Sequence, residues 1–231
     1  MKLLLTTNGL SNSTLEQIFL EMVGSRPNLK VAMIPTAGDP IEWVPDSADS
    51  KKFIAKLTGE LNVKSGKEYL WYKEKGFDVV IADLKQDPKN LREKLETADI
   101  IDVGGGDVNY LLDWAKQAKL DTYLKNILDR DVLYVGASAG SMLLNPDIGF
   151  TWWEPNDEAD HVGLGIVDFM FQPIHGESDE STTQMKLVER KKHLQSLVKY
   201  PWKIYLVKDG QAIRVLGEEI EHIGPGVKEV I

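Results

Sequence analysis

Five short apolar runs, separated by stretches with the periodicity of helices, leave this chain few folds to choose from. Lys2 to Thr6, Leu29 to Ile34, Phe77 to Ile81, Ile100 to Val103 and Val132 to Val135 are mostly apolar and β-rich. That is the pattern of strands covered on both faces of a parallel sheet. Between the first two, Ser13 and Glu16 have capping-box spacing ahead of Leu15, Ile18, Phe19 and Met22, which share one helical face. Pro88 to Ala98 and Val108 to Ala118 are predicted as further helices, the second with Asp107 as its N-cap. Repeated βαβ units predict right-handed crossovers and an α/β fold: a doubly wound, mostly parallel sheet with helices on both faces. Ligand sites of such sheets lie beyond the carboxyl ends of the strands. After Ser141 the pattern changes to loops rich in Trp, Pro and Asp. A strand-like Ile166 to Pro173, a charged helix from about Ser181 to Val198 and a terminal hairpin around Asp209 and Gly210 follow.

No Pro/Gly/Ser-rich linker interrupts the 231 residues, so a single domain over 1–231 is expected. No segment approaches the ~18 uninterrupted apolar residues of a membrane span, and Met1 to Thr7 reads as a first strand rather than a leader. A net charge of −9 argues against nucleic acid as a partner. The absence of cysteine removes disulfides, thiolate zinc ligands and thiolate nucleophiles, and a cytoplasmic location is expected.

Directly after the fifth apolar run stands Gly136, Ala137, Ser138, Ala139, Gly140, a G-x-S-x-G pattern. A strand that turns sharply into a helix through small residues leaves its serine oxygen exposed at the carboxyl edge of the sheet, as a nucleophile elbow. A plain small-residue turn is the alternative. A serine hydroxyl needs a base, usually a histidine held in one tautomer by a carboxylate. Of four histidines, His193 lies on a charged helix face and His222 in a polar hairpin, so both are expected in solvent, and His161 is in an Asp-rich loop. His175 ends the strand-like run and precedes Gly176, which places it where catalytic side chains of open sheets collect. For the acid, Asp209 follows the apolar run Ile204 to Val207, with an Asp-Gly hairpin turn as its structural alternative; Glu177 and Glu180 are rivals. An oxyanion hole needs two backbone amides. Ala139 supplies one by position, and Gly104, Gly105 and Gly106, after a strand and before a helix start, can supply the other. Neither a dinucleotide fingerprint nor a P-loop follows those glycines.

Taken together these landmarks resemble the peptidase E family of serine peptidases, which holds aspartyl dipeptidases and the related cyanophycinases. The matching segments are the Leu3 to Leu5 strand with Thr6, Thr7 and Asn8; Gly104 to Gly106 with Asp107 and Asn109; Gly136 to Gly140; and Gly163 to Phe169 leading to Pro173 and His175. They come in the family's order and span most of the chain. The resemblance implies a class I glutamine amidotransferase-like, flavodoxin-like fold and a small peptide as substrate. It implies Ser138 as nucleophile, His175 as base, Asp209 as orienting acid, and Gly105 and Ala139 as oxyanion donors. Gly104, Gly106, Asn109, Trp153 and Thr182 are implied around the substrate. No metal or organic cofactor is expected, and the assembly is expected to be a monomer or homodimer.

This chain departs from the family's pattern at two places. Ile174 separates Pro173 from His175, where the family has Pro directly before the histidine, so the strand end is expected one residue out of place. Thr182 stands where the aspartyl dipeptidases carry an arginine, and a threonine cannot give the bidentate charged clamp that recognises a carboxylate. Strict aspartyl specificity is therefore not expected. Trp152, Trp153 and Glu154 follow the elbow helix, either as a pocket wall or as a surface-packed aromatic pair. The leading expectation is a serine peptidase acting on dipeptides or other short peptides. Glutamine amidotransfer is disfavoured because it uses a cysteine at the elbow. A catalytically degenerate ligand-binding or regulatory module on the same fold is the second alternative. The distance from Ser138 Oγ to the His175 ring separates it from an enzyme.

Overall fold

The structure is a computed structural model that describes residues 1–39, 42–45, 53–56, 66–149, 162–176, 180–196 and 201–231. The first half runs β1 (Lys2–Thr6), α1 (Ser13–Val23), β2 (Lys30–Ile34), β3 (Glu42–Pro45), β4 (Phe53–Lys56), α2 (Lys67–Glu74), β5 (Asp78–Ile81), α3 (Pro88–Glu96), β6 (Ile100–Val103) and α4 (Val108–Gln117). The second half runs α5 (Leu124–Leu128), β7 (Leu133–Ala137), α6 (Ala139–Met142), β8 (Met170–Ile174), α7 (Glu180–Ser196), β9 (Ile204–Lys208), β10 (Ala212–Leu216), β11 (Glu219–Ile223) and β12 (Glu229–Val230).

Seven strands form the main sheet in the order β11, β10, β1, β7, β6, β2, β5. The five from β1 to β5 across that order are parallel to their neighbours. Only the β10–β11 edge is antiparallel. The doubly wound expectation therefore describes the fold. Alternation along the strands feeds two cores. Ile101 and Val103 of β6 pack with Leu91 of α3, Leu111 of α4 and Leu124 of α5 on one face, while Ile100 packs with Leu15 and Phe19 of α1 and Tyr72 of α2 on the other. Those runs lack a polar alternation because both faces are covered. The exception is Asp102 of β6.

Local chemistry explains two departures from expectation. Helix α1 is capped by Asn12, whose side chain accepts from the Leu15 amide at 2.9 Å, not by Ser13 in a capping box. Asn at the N-cap satisfies an orphan amide at least as well as Ser, and here Asn12 Nδ2 also donates to the Gly210 carbonyl at 3.3 Å. The expected hairpin around Asp209 and Gly210 is absent. β9 lies in a second, three-stranded sheet of order β12, β9, β8, while β10 joins the main sheet beside β1. The Asp-Gly step is a corner between sheets, closed by the Gln211 amide donating to Lys208 O at 3.0 Å. The hairpin of this region is β10–β11, turning at Gly217 and Glu218.

Candidate active site

The elbow is built where β7, between β1 and β6, reaches its carboxyl end. Ser138 has φ 47° and ψ −106°, a conformation that L-residues seldom occupy, costing roughly 1–3 kcal/mol and held only where surroundings over-determine it. Here they do. The Ser138 amide donates to Thr6 O at 2.9 Å. Thr6 Oγ1 donates to Gly136 O at 2.7 Å, the Thr6 amide donates to Ser141 Oγ at 3.0 Å, and Ser141 Oγ donates back to Thr6 O at 2.8 Å. Tyr134 Oη donates to Gly140 O at 2.6 Å, and Thr6, Tyr134 and Ser141 are fully buried. The two glycines are required by contact. A Cβ on Gly140 would lie 2.1 Å from Val103 O, and one on Gly136 would lie 2.8 Å from Ser141 Cα.

The histidine comes from the second sheet. Asn145, buried just after α6, clamps β8 with both ends of its amide: it accepts from the Phe171 amide at 2.9 Å and donates to Phe171 O at 3.0 Å. The parallel β8–β9 register pairs Ile174 with Lys208, so the next residues, His175 and Asp209, leave the two strands side by side. His175 Nε2 lies 3.2 Å from Ser138 Oγ, within hydrogen-bond reach. Asp209 Oδ1 is 3.9 Å from His175 Nδ1, beyond a hydrogen bond, and Oδ2 accepts the Gly176 amide at 2.9 Å. The extra Ile174 is the buried last residue of β8, with His175 directly beyond the strand end. The side chains of His175 and Asp209 are 57% and 37% exposed, so this side of the site is open.

Across from the elbow, the three glycines have different roles. The Gly104 amide is committed to Ile34 O at 3.0 Å, and a Cβ on Gly106 would collide with Ala37 O at 2.0 Å. Gly105 lies against Ser138, a Cβ there falling 3.3 Å from both Ala137 O and Ser138 Cβ, and its amide has no partner among the described residues. Ala139, the first residue of α6, carries one of the amides a helix start leaves unpaired. Asp107 caps α4 by accepting from the Tyr110 amide at 3.0 Å, and Asn109 is half-buried in the first turn of that helix. Trp153, Glu154, His161 and Glu177 lie outside the described residues, as do the side chains of Thr182 and Glu180 on α7.

Two histidines depart from expectation. His222 is half-buried: its Nε2 lies 3.1 Å from Gln211 Oε1, its ring meets Tyr205 edge-on, and burial with nearby Lys228 pushes its pKa down to about 4. His193 is likewise half-buried on α7 rather than in solvent. Ser141 and Asn145, which help to hold the elbow and β8 in place, carry no motif of their own, and Thr6 stood only as part of a matching segment. Asp102 did leave a signal, a carboxylate inside an otherwise apolar strand. It is 8% exposed and accepts from Tyr72 Oη at 2.7 Å; burial, the largest influence, lifts its pKa to about 7 against the lowering effect of that hydrogen bond. No cluster of three or more His, Cys, Asp or Glu suited to a metal occurs among the described residues, and none of their helices is long and apolar enough to cross a membrane.

A serine on a strained turn after a central parallel strand, a histidine at 3.2 Å and a glycine backbone against that serine make up the architecture of an α/β acyl-transfer hydrolase. The model of peptidase family S51 matches residues 3–223, and the chain belongs to that family; it is a peptidase. Among solved structures it is similar to a candidate peptidase E protein from Listeria monocytogenes EGD-e, with 22% identity, a TM-score of 0.68 and coverage of 97% of this chain and 98% of that one. It is also similar to a peptidase from an acI-B1 Actinobacterium, with 14% identity, a TM-score of 0.60 and coverage of 100% and 93%. At these identities the likeness speaks to the fold. No curated protein sequence matches the chain.

Proposed function

We propose that this peptidase cleaves short peptides, dipeptides foremost, through an acyl-enzyme on Ser138. The observation that carries the reading is the 3.2 Å approach of His175 Nε2 to Ser138 Oγ on the strained elbow. In the first step Ser138 Oγ attacks the peptide carbonyl carbon while His175 Nε2 takes the hydroxyl proton. The negative charge on the carbonyl oxygen faces the amides of Gly105 and Ala139. Collapse of the tetrahedral intermediate breaks the C–N bond, and His175 gives its proton to the leaving amine. Water then attacks the ester, with His175 again taking and returning the proton, and Ser138 is regenerated. Asp209, 3.9 Å from Nδ1 and bonded to the Gly176 amide, supports the imidazolium by charge and by fixing the turn that carries it. Neither a metal nor an organic cofactor enters these steps.

Thr182 in place of an arginine argues against strict aspartyl specificity. The Ser138–His175 approach favours a working enzyme over a degenerate binding module. The test is a dipeptide panel, Asp-Xaa members included, assayed with the wild type and with Ser138→Ala. Hydrolysis abolished in Ser138→Ala is expected. Undiminished hydrolysis by that variant would refute the reading, and a marked preference for Asp-Xaa would refute its specificity half.

A further inference from the structure

A cavity of about 770 Å³, in the size range of small-ligand sites, opens beside the elbow on the α1–α2 face of the sheet. Gly105 and Ala137, which flank the nucleophile, line this cavity, as do Asp102 and Tyr72. Register sets Asp102 apart from the nucleophile: it pairs with Val135, three residues before Ser138, or roughly 10 Å along a strand. That span suits an extended long side chain, or the second residue of a dipeptide, on a substrate whose scissile carbonyl rests at Ser138.

The chemistry around Asp102 is specific. Asp102 is more than nine-tenths buried, and only its Oδ2 is engaged, by Tyr72 Oη at 2.7 Å. Oδ1 has no hydrogen-bond partner among the described residues, although Asp102 lines the cavity. An ionised carboxylate left unpaired in such a place is costly, and a buried charge is ordinarily matched by a counter-charge. The wall adds none. Among the described residues, Glu16 and Glu68 line the same cavity with one cation, Lys67, so three carboxylates share one lysine. Glu68 lies near enough to Asp102 to raise the pKa of its carboxyl further, beyond what burial does. Tyr69 and Trp71 of α2 supply aromatic surface, which attracts cations through the negative face of the ring.

Resting on the proposed peptidase reading, we infer that this cavity is a substrate subsite for a cationic nitrogen, with Asp102 as its buried counter-charge and Glu68 as the outer one. The nitrogen comes from a lysine or arginine side chain or from the terminal ammonium of the peptide. Either source binds by the same chemistry, a charge-assisted hydrogen bond to Asp102 Oδ1. Binding of a cation there also holds Asp102 ionised. The subsite gives the protein a preference opposite in charge to an aspartyl clamp.

Equilibrium binding by calorimetry to full-length Ser138→Ala protein separates the cases without relying on turnover. Four probes vary the two charges independently: lysinamide, N-acetyl-lysinamide, norleucinamide and N-acetyl-norleucinamide. The expected result is at least tenfold tighter binding of a charged member than of N-acetyl-norleucinamide, with that advantage lost in Asp102→Asn and reduced in Glu68→Gln. Glu68 is exposed on α2, so its variant keeps the test meaningful if Asp102→Asn folds poorly. N-acetyl-lysinamide as the tighter single-charge probe assigns the subsite to a side chain, and norleucinamide assigns it to the terminal ammonium; both support the inference. Equal binding of all four, no binding, or an advantage unchanged in both variants overturns it. Fluorophosphonate labelling of the wild type tells the two failures apart, since labelled Ser138 without charge preference sinks the subsite alone.

Discussion

The two halves of the Ser138–His175 pair are held in opposite ways. Ser138 sits on a turn whose neighbours are buried, whose glycines touch backbone without room for a methyl group, and whose strain is balanced by bonds from Thr6 and Ser141. His175 projects from the end of a separate three-stranded sheet, more than half exposed, with its carboxylate neighbour 3.9 Å away. One side is fixed by packing and the other by strand register and a single turn. Damage to the first is expected to appear as lost stability, and damage to the second as lost activity in a folded protein.

The largest expected effect is on the exposed side. His175→Ala is predicted to lower kcat/KM by on the order of 10⁴ or more while leaving the melting temperature nearly unchanged, because little buried contact is removed. Steady-state kinetics with thermal denaturation checks this, and an unfolded variant would break the comparison. On the packed side, Gly140→Ala is predicted to destabilise by about 3 kcal/mol or more, since its Cβ would meet the Val103 carbonyl at 2.1 Å. Denaturant titration measures it, and a neutral result would mean that the elbow yields. Asp209→Asn is predicted to cost only about 10- to 100-fold in kcat/KM, well below a carboxylate hydrogen-bonded to its histidine, because of the 3.9 Å separation. A 10⁴-fold loss would show that the pair closes when substrate binds.

Smaller effects follow from two titrating groups whose signs are opposite. The pKa of Asp102 rises from 3.8 to about 7, so its folded form favours the proton, and stability is full at low pH and falls as pH rises toward 7. That of His222 drops from 6.5 to about 4, so its folded form favours the neutral ring, and stability is full above 6.5 and falls as pH drops toward 4. Melting temperatures across pH 4 to 8 are expected to lose the first slope in Asp102→Asn and part of the second in His222→Gln. Slopes that survive these substitutions would assign them to other groups.

The parallel sheet was legible because strands covered on both faces must be largely apolar, and Lys2 to Thr6 and Ile100 to Val103 fall where the patterning places them. The elbow was legible because only small residues fit that turn. What escaped was set by long-range contact. Nothing local shows that Asp209 turns a corner between sheets, because a short Asp-Gly step between two strands reads equally as a hairpin. Nor does the sequence near Asn12 show that Gly210, 198 positions away, receives its amide. Thr6 and Ser141, 135 positions apart, lock the elbow through a hydroxyl pairing that nothing near either residue announces. Asp102 is an odd residue in its strand that the patterning passed over, and its meaning needed Tyr72, supplied by a helix that the patterning did not predict.

The proposed chemistry rests on the strained, packed serine as the group that attacks. Intact-mass and peptide-mapping analysis after reaction with a fluorophosphonate tests it most directly. One adduct per chain, located on Ser138, abolished in Ser138→Ala and strongly slowed in His175→Ala, is the predicted result. No adduct on Ser138 in folded, active protein, or an adduct on another residue with peptidase activity intact in Ser138→Ala, would contradict it.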